Sequence, residues 1–502
     1  MIREIIKNIE AGKEIRKNLI ALKEACKEGA GRHGILYALQ NDVEMFYRLL
    51  SDTDAKVRKN AAILLGQLGV QESLSYLFEA YQKEETLFVK SSYLKAMREL
   101  DYRKYLDFFA KRLEALTNME RLPENRKHIA EEMRILQEML LAVQGEKKHT
   151  FTGWKQVNYM ILLTNRDHRE ITADQLKSHR PKLFLAGVQI KTTDLQAVYQ
   201  VRTFSEALFV LPDCPTVSVP QEASLEERAI AVGSQIVDSS FLTFLKERHK
   251  GDGPFYLRLE CKNKMDLKQK SRFAKKLAAV IEEKSKGALR NSTSHYELEL
   301  RLVENKTGNF NMMVKLYTYE DPRFAYRKES VATSIQPANA ALVMALAKPY
   351  FKPGAQVLDP FCGVGTMLIE RSQIETTGDL YGLDLYGQAI EGGRENASLA
   401  NVRIQFINRD FFDFRHSYLF DEVVTNMPRV IGKKTQGDIM EIYTKFWAKI
   451  GKHLEKNGII VMHCYDKEIF EKTIPKTRFE VKEVFTLSQK EGAYCMVVQY
   501  VS

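Results

Sequence analysis

The chain has 502 residues, 44% apolar and 28% charged; this excludes disorder and exceeds a single core, so roughly two to four domains are expected. A net charge of +10 favours a polyanionic partner, nucleic acid first. Six scattered cysteines without a C-x-x-C pair, and ten histidines without ligand spacing, argue against a disulfide framework and a metal site.

The N-terminal stretch MIREIIKNIEAGKEIRK is charged throughout, unlike a secretory signal, and no apolar run approaches the ~20 residues of a membrane span. A cytoplasmic, reducing location is expected. Residues 1–148 hold almost no proline and read as consecutive amphipathic helices. DAKVRKNAAILLGQLG, from Asp54, aligns with ETLFVKSSYLKAMREL, from Glu85, with Val57 matched to Val89 at an offset of 32 residues. Arg58 then matches Lys90, Ala62 Leu94, Leu65 Met97 and Leu68 Leu100, and a weaker third copy starts at Asn125. LLSDTDAKVRKNAAILLGQLG resembles a HEAT-type repeat. The resemblance implies a stacked helical array that docks RNA or a protein partner. An ordinary helical bundle is the alternative.

From 149 to 330 the grammar changes. YMILLTN, LFLAGVQI, ALFVLP, FYLRLECK, YELELRLVE and NFNMMVKLY read as strands. SLEERAIAVGSQIVDSSFLTFLKER and DLKQKSRFAKKLAAVIEEKSKG read as helices, which makes an α+β domain. The span 258–276 carries eight basic residues against two acidic ones. Lys262, Lys264, Lys268, Arg272, Lys275 and Lys276 are its candidate RNA-binding residues, and a solvated helix face is the competing reading. FYLRLECKNK, the basic helix and STSHYELELRLVENKTGNFNMMVKLY together resemble a THUMP domain, an RNA-binding module of RNA-modifying enzymes. Residues 155–212 would be the ferredoxin-like subdomain that commonly precedes it.

From 331 to 502 strands and helices alternate. AQVLDP, DLYGLD, VRIQFIN, DEVVTN and GIIVMHC are strands, each followed by a helix, and FEVKEVFTLS with AYCMVVQYV form a closing hairpin. A doubly wound, Rossmann-like sheet is expected. VLDPFCGVGTMLIE, Val357 to Glu370, sets an acid at a strand end before a glycine-bearing turn, which lets a ligand approach the backbone. The third glycine of a dinucleotide fingerprint is missing, because Leu368 stands there, so a ligand without phosphates fits better.

LDPFCGVGT resembles the first motif of class I S-adenosylmethionine-dependent methyltransferases, in the spelling of the RNA guanine-N2 methyltransferases that carry THUMP domains. The resemblance assigns cofactor contacts to Asp359, Pro360, Phe361, Cys362, Gly363, Gly365 and Thr366. Asp384, which ends YGLD, would take the ribose hydroxyls, and Asp410, which ends INRD, the adenine amino group. YRKESVATSIQPANAALVMALA resembles the family's entry helix and points to Ser334, Pro337 and Asn339. AIEGGRENASLANV, with Asn396, resembles the helix after the second strand; plain helix packing explains it equally. Each acid alone could be a helix N-cap.

VVTNMPRVIG ends the fourth strand at Asn426, at the motif the family writes Asn/Asp-Pro-Pro-aromatic. Asn426 also belongs to the expected cofactor wall. The expected catalytic residues are Asn426 and Pro428, which would hold an exocyclic amine, and Arg429, which stands where an aromatic would stack on the base. Gly432 and IYTKFW follow the family pattern. The resemblance implies methylation of a guanosine N2 in tRNA with S-adenosylmethionine. Ribosomal 23S RNA as substrate, a non-catalytic RNA-binding scaffold, and methylation of an adenine amine or protein amide are the alternatives.

Overall fold

The computed structural model describes residues 2–27, 31–118, 125–144, 149–293, 296–431 and 435–501. The chain forms two compact units, Met1–Lys148 with Ser285–Ala288, and His149–Lys284 with Leu289–Ser502.

The described residues 2–144 are helical, with short connections. The helix Ala55–Leu68 starts where Asp54 accepts the Lys56 N–H at 2.7 Å. It packs on Leu87–Met97, the helix 32 residues on, which packs in turn on Arg126–Gln144, so the helices of successive copies lie side by side. Val57, Leu65, Val89 and Met97 are buried between them. Arg58 grips Glu84 with two bonds of 2.8 Å and donates to the Asp52 carbonyl at 2.8 Å, which ties the turn to the next helix. Its counterpart Lys90 donates to the Tyr81 carbonyl at 3.0 Å.

In the other unit, residues 158–316 build one nine-stranded sheet. Its path runs Lys182–Phe184, Gly187–Thr192, Asn158–Thr164, Phe204–Phe209, Phe310–Leu316, Leu298–Glu304, Phe255–Lys262 and Leu289–Asn291, with Thr216–Val217 beside Phe310–Leu316. Two expectations change. LFLAGVQI is a hairpin rather than one strand, because Leu185 and Ala186 turn the chain and Gly187 re-enters the ladder. The long helix from Ser224 is two helices, Leu225–Asp238 and Phe241–Arg248, broken at Ser239–Ser240, where Asp213 takes the Ser240 N–H at 2.8 Å.

Residues 337–500 form a seven-stranded sheet flanked by helices. Its strands are β1 (Ala355–Asp359), β2 (Thr377–Asp384), β3 (Gln405–Asn408), β4 (Phe420–Asn426), β5 (Leu454–Cys464), β6 (Phe479–Ser488) and β7 (Ala493–Tyr500). The helices are α1 (Pro337–Ala347), α2 (Thr366–Ser372), α3 (Gly387–Leu399), α4 (Gln436–Ile450) and α5 (Lys467–Thr473). The spatial order is 3-2-1-4-5-7-6, parallel through β5, with β7 antiparallel between β5 and β6. The apolar runs of β1, β4 and β5 are buried, as expected of strands covered on both faces. No full helix follows β3, against expectation: Asp410 caps a single turn, Phe411–Asp413, whose Phe411 plugs the core. Arg202 joins the two sheets through a two-bond contact of 2.7 and 2.8 Å with buried Glu370.

Candidate functional site

The strand order reverses between β1 and β4, and open α/β sheets bind ligands at the carboxyl ends beside such a reversal. A cavity of about 980 Å³ lies there, at the upper end of ordinary small-molecule sites. Asp359, Asp384 and Asn426 end β1, β2 and β4, and Asp410 follows β3; all four line the cavity. Ser334, Pro360, Phe361, Cys362, Gly363, Thr366, Pro428 and Arg429 line it too.

Three expected residues do not line it. Gly365 sits behind the turn with φ +79°, and a Cβ there would press within 2.8 Å of the Phe406 ring. Pro337 is buried at the first position of α1. Asn339, on the same helix, faces a second cavity of about 250 Å³, shared with Asn165, His463, Tyr465 and Glu491. Gly432 lies outside the described residues. In IYTKFW, Ile442 reaches the large cavity while Tyr443, Phe446 and Trp447 fill the core. Asn396 is a buried brace: its Oδ1 accepts the Lys328 and Glu329 N–H groups at 3.1 and 3.0 Å.

The turn after β1 is held by the next strand. Asp384 accepts the Gly363 N–H and the Tyr386 N–H, each at 2.9 Å. Burial holds the Cys362 thiol well above its usual range, so it is a packing group, not a nucleophile. Asp359 is fully buried; its Oδ1 accepts Thr425 Oγ1 at 2.7 Å and the Phe361 N–H at 3.1 Å. Its Oδ2 has no partner among the described residues. Burial, with Asp384 adding repulsion, raises its pKa to about 7.

That raised value predicts a pH dependence. Between pH ~4 and ~7 the native state keeps a proton that the unfolded chain has lost, so stability falls as pH rises. The loss over that window is about 4 kcal/mol in the cofactor-free protein. Urea unfolding at pH 4 and pH 8 measures it, and Asp359→Asn is expected to flatten the difference.

The Asn426 amide is held on both edges. Its Nδ2 donates to the Thr333 carbonyl at 3.1 Å, and its Oδ1 lies 2.7 Å from Nδ1 of His463 on β5. Half-buried Arg429 places its guanidinium 4.2 Å from the centre of the Tyr465 ring. The sequence motifs do not single out Thr333, His463 or Tyr465. The adjacent strand ends were the available signal, since Asn426 pairs with His463 in the β4–β5 register. None of the six basic residues of 262–276 lines the cavity; five are exposed and Lys276 is half-buried. Among the described residues no cluster of three potential metal ligands occurs, and no helix is long and apolar enough to cross a membrane.

Residues 325–491 match the UPF0020 family, the RMKL-like methyltransferase domain. The protein called probable tRNA (guanine(10)-N2)-dimethyltransferase in Methanothermococcus thermolithotrophicus is 30% identical over 124 residues, which cover 22% of this chain and 70% of that one. The chain belongs to the RMKL-like methyltransferase family. The tRNA (guanine(10)-N2)-dimethyltransferase of Methanothermobacter thermautotrophicus is 30% identical over 27% of this chain and 40% of its own length. Ribosomal protein L11 methyltransferase of Aquifex aeolicus is 30% identical over 33% of this chain and 61% of its own. The chain thus spans less than two thirds of these last two relatives. In fold it is similar to TrmN from Thermus thermophilus, with a TM-score of 0.50, 16% identity and coverage of 68% of this chain and 100% of that one. It is likewise similar to SMU.472 in complex with SAH, with a TM-score of 0.51, 12% identity and coverage of 69% and 99%.

The cofactor of this RMKL-like methyltransferase is S-adenosylmethionine. The residues present fit it. The unpartnered Oδ2 of buried Asp359 calls for a cationic neighbour, and the methionine end of this cofactor carries positive charge.

Proposed function

We propose that the protein methylates an exocyclic amine of RNA, the N2 of a guanosine in tRNA. The observation that carries this reading is the Asn426–Met427–Pro428 turn, which ends β4 on the cavity wall shared with Asp359, Asp384 and Asp410. When bound, S-adenosylmethionine supplies a methyl group already activated by positive charge, so the acceptor needs no strong base. Asp384 holds the ribose hydroxyls, Asp410 the adenine amine and Asp359 the cationic end. The lone pair of guanine N2 is delocalised into the ring. Asn426 Oδ1 and a backbone carbonyl of the Met427–Pro428 turn accept its two N–H bonds, position the nitrogen and draw it out of conjugation. Arg429, backed by Tyr465, offers a flat surface for the flipped base in place of the family's aromatic.

The α+β region, residues 149–330, is assigned the role of a THUMP-like RNA grip. The HEAT-like helices of 1–148 extend the RNA surface or recruit a protein. Lys268, Arg272, Lys275 and Lys276 fall within about 100° of one another around the helix Leu267–Lys284. Changing Lys268, Lys275 and Lys276 together to Glu is expected to weaken RNA binding at all salt concentrations and lower the slope of log affinity against log salt by about 2. Filter binding over a salt series measures it. Unchanged affinity would return this helix to an ordinary solvated face.

Mass spectrometry of nucleosides from a deletion strain tests the function, and loss of N2-methylguanosine from tRNA is expected. Loss confined to 23S rRNA would move the substrate to the ribosome. The ribosomal protein L11 methyltransferase among the relatives favours a second reading, a protein substrate. Unchanged nucleosides with an undermethylated ribosomal protein would establish that reading instead.

A further inference from the structure

We infer that His463 is a positioning residue that fixes which way the Asn426 amide faces. This rests on Asn426 being the residue that holds the target amine. The Thr333 carbonyl can only accept, so the Asn426 edge 3.1 Å away from it must be the NH2 group. The opposite edge is Oδ1, 2.7 Å from His463 Nδ1. An amide oxygen can only accept, so the histidine hydrogen must sit on Nδ1. Burial, reinforced by Arg429, pushes the His463 pKa down to about 4, so the ring is neutral near pH 7. Nδ1–H is therefore the working tautomer.

The backbone locks the pair in place. Asn426 and His463 are partners in the parallel ladder, and the Met427 N–H donates to the His463 carbonyl at 2.9 Å. A flipped amide would bring NH2 against Nδ1–H and turn Oδ1 toward the Thr333 carbonyl, losing both hydrogen bonds at once. In the observed orientation Oδ1 keeps one lone pair for a second donor, and Asn426 lines the large cavity. Without His463 only the Thr333 bond holds the amide, and an amide that swings out of it presents its own N–H groups to the amine. Donor would then face donor.

The test uses the full chain, S-adenosylmethionine and bulk tRNA from a deletion strain. His463→Phe is expected to lower kcat by about 100-fold, the scale of a small misplacement at a reacting centre, with KM for S-adenosylmethionine unchanged. His463→Asn, which returns an N–H near Nδ1, is expected to recover most of the rate. Combined with Asn426→Ala, His463→Phe is expected to add no further loss. Full activity in His463→Phe beside an inactive Asn426→Ala would overturn this inference alone. Full activity in both would overturn the proposed role of Asn426 instead. If His463→Phe does not fold, nitrogen NMR of the wild type decides: a hydrogen on Nδ1 supports the inference, and a hydrogen on Nε2 overturns it.

Discussion

Asn426→Ala is expected to lower turnover by about 100- to 1000-fold, the loss typical of removing one preorganised hydrogen-bonding group from a polar transition state. Cofactor affinity is expected to stay the same. The side chain makes two hydrogen bonds, to Thr333 and His463, and neither holds the turn after β1. That turn depends on Asp384, which binds the Gly363 and Tyr386 N–H groups. Asp384→Ala is therefore expected to do the converse: affinity falls, because both the ribose acceptor and the Gly363 anchor are lost. Single-turnover methylation and calorimetric titration with S-adenosylmethionine separate the two effects. Equal activity in Asn426→Ala would contradict the amine-holding role.

The methyltransferase sheet was legible because its signals are local. Apolar runs that end in Asp359, Asp384 and Asn426 mark strand ends without any knowledge of neighbours, and the hairpin of β6 and β7 follows from length and alternation. The insertion of β7 between β5 and β6 was left open, although the near-continuous apolar run AYCMVVQY beside the charged FEVKEVFTLS marks β7 as the inner strand. The helix expected after β3 failed for a tertiary reason: the chain makes only the one turn Phe411–Asp413, whose first residue, Phe411, enters the core. The break at Ser239–Ser240 is fixed by Asp213, 27 residues away from Ser240, which no window of periodicity can see. The candidate site divides the same way. Asp359, Asp384, Asp410 and Asn426 each carry a strand-end signal, whereas His463 and Tyr465 acquire meaning only once β5 lies beside β4. Arg429 was read as a substitute for a stacking aromatic. The structure puts an aromatic beneath it, Tyr465, just past the end of the neighbouring strand β5.

The second large effect concerns stability. Arg371 on α2 and Glu422 on β4 form a two-bond ion pair at 2.7 and 3.1 Å, and the two side chains are 0% and 1% exposed. Both partners make further contacts. Arg371 also donates to the Glu375 and Lys352 carbonyls, Glu422 accepts the Lys352 N–H at 2.7 Å, and the guanidinium lies 4.1 Å from the Phe351 ring centre. The pair thus fastens the helix after β1 to the outset of β4, beneath the strand ends that form the cavity. Glu422→Ala is expected to cost about 3–5 kcal/mol, because it strands a guanidinium in the interior. That is a large share of the roughly 5–15 kcal/mol that holds a domain folded. Replacing both partners, Arg371→Met with Glu422→Leu, is expected to cost far less than either single change, since an apolar pair leaves no charge unpaired. Urea unfolding of the three variants measures this. Additive losses would show that packing around the pair, not its charge, holds α2 to β4.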